Sequence, residues 1–278
     1  MLESLLVPDD DTYRSAQKLF LAAMLFTLLA ILFTYHVMPF DIAGTNMNGF
    51  AAVFFVTIAL VYPLTTFIRS RDKTEVDHDW GEMRLIDRHF HEAAYYLAAF
   101  TGVTLGFAAT IHALPEQFFA VQALLVQNIQ AMTGQIVAPD LFTVLVLNNT
   151  GVLLGTFALS FFITGGLVFI LVLNASNLGY VIGKSAQSVF EIPVATLPYV
   201  AHGTLEIGGY IAAGLAGMLL SYSIEQSIKG DDDLRLKTSL KDATTLMIVG
   251  FGLILLAASV ESGTNPISGL IQTVTALV

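Results

Sequence analysis

The sequence predicts an all-α, polytopic membrane protein: a bundle of about seven transmembrane helices. Only 12% of the residues are charged and 55% are hydrophobic, with a mean hydropathy of +0.72, whereas a soluble domain is about 25% charged. Apolar runs of about 20 residues, the length that crosses a bilayer, also recur along the chain. The predicted spans are Leu19–Met38, Met47–Ile68, Ala93–Leu114, Leu141–Ile163, Leu167–Gly183, Val200–Ser223 and Ala243–Val260.

The positive charges predict the orientation of the spans. Loops on the cytoplasmic side of a membrane are enriched in Lys and Arg. With seven spans and a cytoplasmic N-terminus, every Lys and Arg except Lys184 faces the cytoplasm. Six spans would move the first or the last basic group outside. We therefore expect a multi-pass protein of the cell membrane with its N-terminus inside and its C-terminus outside.

The segments between the spans predict two regions. Residues 1–92 would form a two-span hairpin with a charged cytoplasmic loop, and residues 93–278 a membrane core. Asp79, followed three residues later by Glu82, resembles a capping box, which predicts that a helix begins near Asp79. The fourth and fifth spans are joined by the short connection Thr164-Gly165-Gly166. This pair of spans could therefore be re-entrant instead of crossing the membrane.

Three further segments carry structural expectations. In the segment 115–139, apolar residues recur at helical spacing, which predicts a helix lying flat on the outer surface. Pro193 and Pro198 are expected to break the chain before the sixth span. The apolar tail 267–278 is too short to cross the membrane.

Composition excludes several classes of function. The formal net charge of −10 argues against nucleic acid as a partner, because such binding depends on clustered Lys and Arg. The acidic residues cluster in polar segments, including Asp72–Glu92, which we expect to be solvated. The chain has 0 cysteines, which rules out disulfides and thiolate metal sites. No phosphate-binding or dinucleotide-binding glycine loop occurs, so no cofactor is predicted.

A few polar residues fall inside the apolar runs. Ionisable groups there are costly and are functional candidates by default. From the rise of about 1.5 Å per residue in a helix, we expect four different helices to bring polar groups, Asn148, Asn149, Asn177, Glu206 and Glu261, to the outer half of the membrane. The set comprises Asn148, Asn149, Asn174, Asn177, His202, Glu206 and Glu261.

Three interpretations of this polar set remain open. His202 and Glu206 lie one helical turn apart and therefore share a face. With Asn148 or Asn149 they could form a polar clasp that fixes helix register. They could instead line a solute or proton pathway, or belong to a metal or protease site. The metal hypothesis is the weakest, because the chain has no His-Glu-x-x-His motif.

Small residues at a spacing of four predict close helix packing. This spacing allows either packing within the chain, which we expect, or contacts between copies. The residues are Gly102, Gly106, Gly151, Gly155, Gly209, Ala213 and Gly217.

The region from about Leu141 to Pro266 resembles the stage II sporulation protein M family of membrane proteins. One position departs from the family pattern, because Ala175 follows Asn174 where relatives tend to have glycine. The residues that carry the resemblance are Asn148-Asn149, Gly151, Gly155, Asn174, Gly179, His202-Gly203, Glu206, Glu261 and Pro266.

The resemblance implies an assembly role rather than a known reaction. The family's namesake holds peptidoglycan-degrading partners at the membrane during forespore engulfment, a role that we do not carry over. The form of this chain and its acidity suggest an archaeal source. We therefore expect a scaffold that contacts lipids and other membrane proteins, or itself in a homo-oligomer. A transporter subunit is the alternative, and an intramembrane metalloenzyme a remote one.

Cysteine labelling in intact cells tests the predicted topology. Because the chain has 0 native cysteines, single cysteines at Ser70 and Thr238 should resist a membrane-impermeant thiol reagent, and one at Gln122 should react. Lysed cells, in which all sites are accessible, serve as the control. Labelling of position 238 from outside would refute the seven-span orientation.

Overall fold

A computed structural model describes residues 12–38, 40–75, 85–133, 138–163, 165–228 and 233–263. Within these ranges the fold is almost entirely helical. In chain order the elements are α1 Thr12–His36, β1 Asp41–Ile42, β2 Thr45–Asn46, α2 Asn48–Glu75, α3 Leu85–Thr110, a 3₁₀ turn Glu116–Phe119, α4 Ala120–Thr133, α5 Ala138–Phe162, α6 Gly166–Ser185, a second 3₁₀ turn Val189–Glu191, α7 Ile192–Ile228 and α8 Asp233–Ser262.

The prediction of seven spans in an all-α fold is confirmed. In the described part of the chain, seven helices are long and apolar enough to cross a membrane: α1, α2, α3, α5, α6, α7 and α8. The pair that the sequence left open as re-entrant, α5 and α6, has candidate spans of 22 and 20 residues. Each is therefore long enough to cross completely.

The helices divide into two compact units. The first unit contains residues 1–126 and 168–196, and the second contains residues 127–167 and 197–278. These units are groups of helices that pack together. The predicted boundary at residue 93 instead divides the sequence into an N-terminal hairpin and a membrane core, so the units do not test it. That boundary stays a prediction.

In the first unit, α3 packs against α1 and α6 at glycines. A Cβ at Gly102 would overlap the Phe20 carbonyl oxygen of α1, and one at Gly106 would lie 2.8 Å from the Thr27 Cβ. On α6, a Cβ at Gly179 would lie 2.5 Å from the Thr104 carbonyl oxygen of α3. Helices that approach this closely gain the dispersion contacts that hold membrane bundles together.

The same unit buries a carboxyl group near the start of the third span. Glu92, which the sequence grouped with solvated acidic residues, is only 5% exposed. It lies one turn before Tyr96, which is fully buried. The charged segment therefore ends inside the protein rather than in solvent.

The segment after α3 is helical, as expected, but it packs into the protein. Phe118 and Phe119 are buried, and Phe119 packs against Tyr180 with 6.2 Å between ring centroids. Gln122 is 0% exposed and donates to the Ser176 hydroxyl. Gln117 is exposed and is therefore a better position than Gln122 for the labelling experiment.

A surface ion pair joins the 3₁₀ turn after α3 to the end of α6. The Lys184 ammonium donates to the Glu116 carboxylate over 2.7 Å. That hydrogen bond, followed by the charge of Lys184, lowers the pKa of Glu116. Lys184 is the one basic residue that the charge rule places outside, and it is thus paired.

In the second unit, α7 packs against α8 and α5, also at glycines. Gly209 of α7 faces Gly250 of α8, where a Cβ at Gly209 would lie 2.9 Å from the Gly250 carbonyl oxygen. A Cβ at Gly217 would overlap the Phe157 carbonyl oxygen of α5. Ala213, between the two glycines, is 0% exposed. The small-residue face of α7 therefore serves two neighbouring helices.

The predicted break at Pro193 and Pro198 is wrong, because α7 begins at Ile192 and continues through Pro198. Pro193 lies in the first turn, where a helical N–H has no intrahelical acceptor. Pro198 removes a single hydrogen bond, a loss that membrane helices tolerate when neighbouring groups compensate.

Two expectations fall on residues that the structure does not describe. The predicted helix start at Asp79 and the tail 267–278 both lie outside the described ranges.

Matched alanine substitutions test the difference between packed and open glycines. Gly217→Ala should lower the thermal midpoint in detergent, because its Cβ would meet backbone of α5. Gly155→Ala should keep or raise the midpoint, because no described atom lies within 4 Å of its Cβ position and alanine is the better helix former. Equal losses in the two variants would contradict the packing described.

Candidate functional site

A buried amide lies in the middle of α5. The buried residues of this helix recur at alternating spacings of three and four, so they form one face directed into the second unit. Asn149 lies on this face and is only 5% exposed. The other members of the face are Phe142, Leu145, Val146, Leu153, Thr156 and Ser160. Asn149 is thus a buried amide whose neighbours within one turn on this face, Leu145, Val146 and Leu153, are apolar, and it requires hydrogen-bond partners there.

Asn149 is the centre of a hydrogen-bond network that joins α5 to α7. Its Nδ2 donates to Glu206 Oε1 over 2.6 Å. Its Oδ1 accepts two hydrogen bonds, one from the Tyr210 hydroxyl and one from Asn148 Nδ2, each 3.0 Å long. We call Asn148, Asn149, Glu206 and Tyr210 the amide clasp.

The α7 side of the clasp comes from two successive turns. Glu206 and Tyr210 are four residues apart and therefore point in the same direction. Tyr210 is 3% exposed. Its apolar ring fills space between helices while its hydroxyl reaches Asn149, the usual behaviour of a buried tyrosine.

Glu261 approaches the clasp from the end of α8. The buried residues Gly250, Ile254 and Ala257 run along one face of this helix, and Glu261 lies one turn beyond Ala257 on that face. Its charge acts electrostatically on both Glu206 and Tyr210. Glu261 itself is exposed, so it marks the open end of the clasp.

His202 is placed apart from the clasp. It shares a helical face with Glu206, but among the described residues no hydrogen bond joins the two side chains. Its ring instead lies 6.0 Å from the ring of Tyr199, at an interplanar angle of 68°. The hydrogen-bonded partner of Glu206 is therefore Asn149 rather than the histidine.

Asn174 and Asn177 belong to the first unit. Asn174 Nδ2 donates to the Ile170 carbonyl of its own helix over 2.9 Å. Asn177 Oδ1 is buried without a hydrogen-bond partner among the described residues. These two asparagines are thus not members of the amide clasp.

Sequence reasoning missed Tyr210. The sequence singles out the carboxyl, imidazole and amide groups in the spans, because a tyrosine in an apolar run is typical of an ordinary core residue. The available signal was its spacing of four residues from Glu206, the same spacing that drew attention to His202.

The chemistry of the clasp favours holding helices together. Amide, hydroxyl and carboxyl groups hydrogen-bond to one another across α5 and α7, and the amide at the centre has no strongly nucleophilic or basic atom. Within the described ranges, no group of three or more His, Asp or Glu side chains is placed to hold a metal ion.

Comparison with protein families supports the resemblance noted from the sequence. The model of the stage II sporulation protein M family matches residues 93–264. The chain belongs to this family. The sporulation protein M match runs from α3 to the end of α8 and contains the whole amide clasp. Comparison with curated proteins and with solved structures finds no match.

Double-mutant cycles test which residues act together in this sporulation protein M relative. Glu206→Leu should cost about 1–3 kcal/mol, because it leaves the buried Asn149 donor unpaired. Glu206→Gln should cost less, since its carbonyl oxygen can accept the same hydrogen bond. The free energy of unfolding in detergent is the measurement.

The double variant distinguishes the partners. Asn149→Leu with Glu206→Leu should lose clearly less than the two single losses added together, because each single change strands the other residue. The control pair, His202→Leu with Glu206→Leu, should be additive within about 0.5 kcal/mol. Coupling through His202 instead of Asn149 would refute the clasp as described.

Proposed function

We propose that this chain is a non-catalytic assembly subunit of the cell membrane that holds a partner helix against α5. The observation that carries the proposal is the amide clasp, which ties α5 to α7 through hydrogen bonds to Asn149. A clasp of this kind fixes the rotation of α5 about its own axis. Whatever α5 presents on its opposite side is then held in a defined direction.

The opposite side of α5 has the properties of a helix-binding surface. Gly151 and Gly155 have no described atom within 4 Å of their Cβ positions, so another backbone can approach closely there. Asn148 lies on the same face, three residues before Gly151. We call this surface the outer seam of α5; it consists of Asn148, Gly151, Gly155, Ala158 and Phe162.

Asn148 supplies a polar contact within the outer seam. Its Nδ2 donates to Asn149, but the described residues offer its Oδ1 no hydrogen bond. A side-chain amide can both donate and accept, and in a membrane such groups pair across helices. The outer seam therefore combines close approach with one directional hydrogen bond.

A second copy of the chain is the partner that suits this seam. Copies inserted in one membrane share one orientation, so the seam of one copy meets the seam of another at equal depth. Related by a two-fold axis, Asn148 would lie opposite Asn148 of the other copy. A helix of another membrane protein with a small-residue face would fit the same surface.

Disulfide cross-linking in native membranes tests the proposal. In the cysteine-free chain, Ala158→Cys should yield a disulfide-linked dimer on oxidation, because a second copy supplies the matching thiol. Adding Gly155→Leu should abolish that product, because the bulky side chain keeps the backbones apart.

The control is a cysteine at Leu256 of α8, which is also exposed but lies outside the outer seam and should give no product. The thermal midpoint of Gly155→Leu should match that of the unmodified chain, because no described atom of the same copy lies within 4 Å of the Gly155 Cβ position. The absence of any product from position 158, or unchanged cross-linking with Gly155→Leu, would refute the proposal.

A further inference from the structure

The connection between α1 and α2 is a rigid hairpin with an apolar surface. Strands β1 and β2 pair Ile42 with Thr45 around a two-residue turn, Ala43-Gly44. Both turn residues have positive φ, 50° and 81°, as the tightest hairpin turns require. We call residues 40–46 the hairpin.

Hydrogen bonds at its base fix the direction of the hairpin. Asn48, the first residue of α2, is 5% exposed, and its Oδ1 accepts from the Phe40 N–H over 2.8 Å. The Met47 N–H donates to the Phe40 carbonyl over 2.7 Å. Asn46 Oδ1 accepts from the Asn48 N–H over 3.0 Å. The residues at both ends of the hairpin, Phe40 and Asn46, are thus hydrogen-bonded to the start of α2.

The hairpin and the residues before it expose large apolar side chains. Val37 is 64% exposed, Met38 40%, Phe40 37% and Ile42 51%. Phe40 and Ile42 lie on one face of the chain and Asp41 on the other, because side chains alternate along an extended segment. A contiguous apolar surface of this kind requires a partner.

The position of the hairpin identifies that partner. The candidate span of α1 runs for 23 residues and ends at His36, a length of about 34 Å at 1.5 Å per residue. Since the hydrocarbon core is about 30 Å thick, Val37 lies at the membrane boundary. The exposed Leu25, Leu29 and Leu32 of α1 lead along the helix directly to it.

We propose that the hairpin is an interfacial anchor whose apolar face enters the boundary between lipid headgroups and acyl chains. The exposed apolar side chains follow the lipid-facing leucines of α1 along the chain, and Asp41 stays on the aqueous side. Because Asp41 is the one charged residue in the hairpin, insertion depends on apolar burial and requires no anionic lipid. A membrane interface satisfies such amphipathic segments in this way.

Depth-dependent fluorescence quenching tests the anchor. The chain has 1 tryptophan, so Trp80→Phe gives a silent background for Ile42→Trp in the full-length protein. In phosphatidylcholine vesicles, Trp at position 42 should emit at a blue-shifted wavelength. Lipids brominated near the headgroup should quench it more than lipids brominated deep in the acyl chain.

Two reference positions make the result decisive. Leu25→Trp, in the middle of α1, should show the opposite preference, for the deep bromines. Gln117→Trp, exposed on the 3₁₀ turn, should resist both lipids and be quenched by aqueous acrylamide. If position 42 behaves like position 117, the hairpin stands in water, its patch serves another partner, and the anchor is refuted.

Replacing part of the lipid with phosphatidylglycerol should leave the quenching at position 42 unchanged; a strong dependence on anionic lipid would refute apolar insertion.

Discussion

Within a bilayer, a polar side chain has no water to bind, and this constraint governs the second unit of the chain. Asn149 places an amide on the buried face of α5, where an unpaired donor or acceptor is costly. The fold meets this cost by placing Glu206, Tyr210 and Asn148 around the one amide. Because a hydrogen bond is directional whereas apolar contact is not, the clasp sets the rotation and the height of α5 against α7.

The rest of the unit is consistent with that fixed register. Gly209 must face Gly250, and Gly217 must face Phe157, for the backbones to approach as closely as they do. A rotation or a shift by one residue would bring side chains into these contacts. The glycine contacts and the clasp therefore select the same arrangement. The glycine contacts exclude other registers sterically, and the hydrogen bonds of the clasp favour this register because they are directional.

Fixing one face of a helix also fixes the other. With Asn149 directed inward, Asn148 is directed toward the outer seam, although the two asparagines are neighbours in sequence. The proposed assembly role rests on this division: one amide stabilises the subunit, and the next remains available to a partner. The hairpin supplies a different kind of contact, with lipid, at the end of α1. The outer seam and the hairpin are thus both exposed surfaces, one proposed to bind a partner helix and the other to bind lipid.

The sequence alone determined the class of the protein, the number of its spans and its family, because length, hydropathy and motif order are properties of local sequence. It also singled out Asn148, Asn149 and Glu206, since polar residues are conspicuous in apolar runs. Only the tertiary structure decided partners. Gly102 and Gly106 contact another helix, whereas no described residue contacts Gly151 and Gly155, which have the same spacing. His202 lies apart from the clasp, and Tyr210 joins Glu206 in bonding Asn149. The continuation of α7 through Pro198 likewise depended on its surroundings. The physical reason is that spacing specifies which residues share a helix face, but the neighbour that covers the face is set by packing between distant segments.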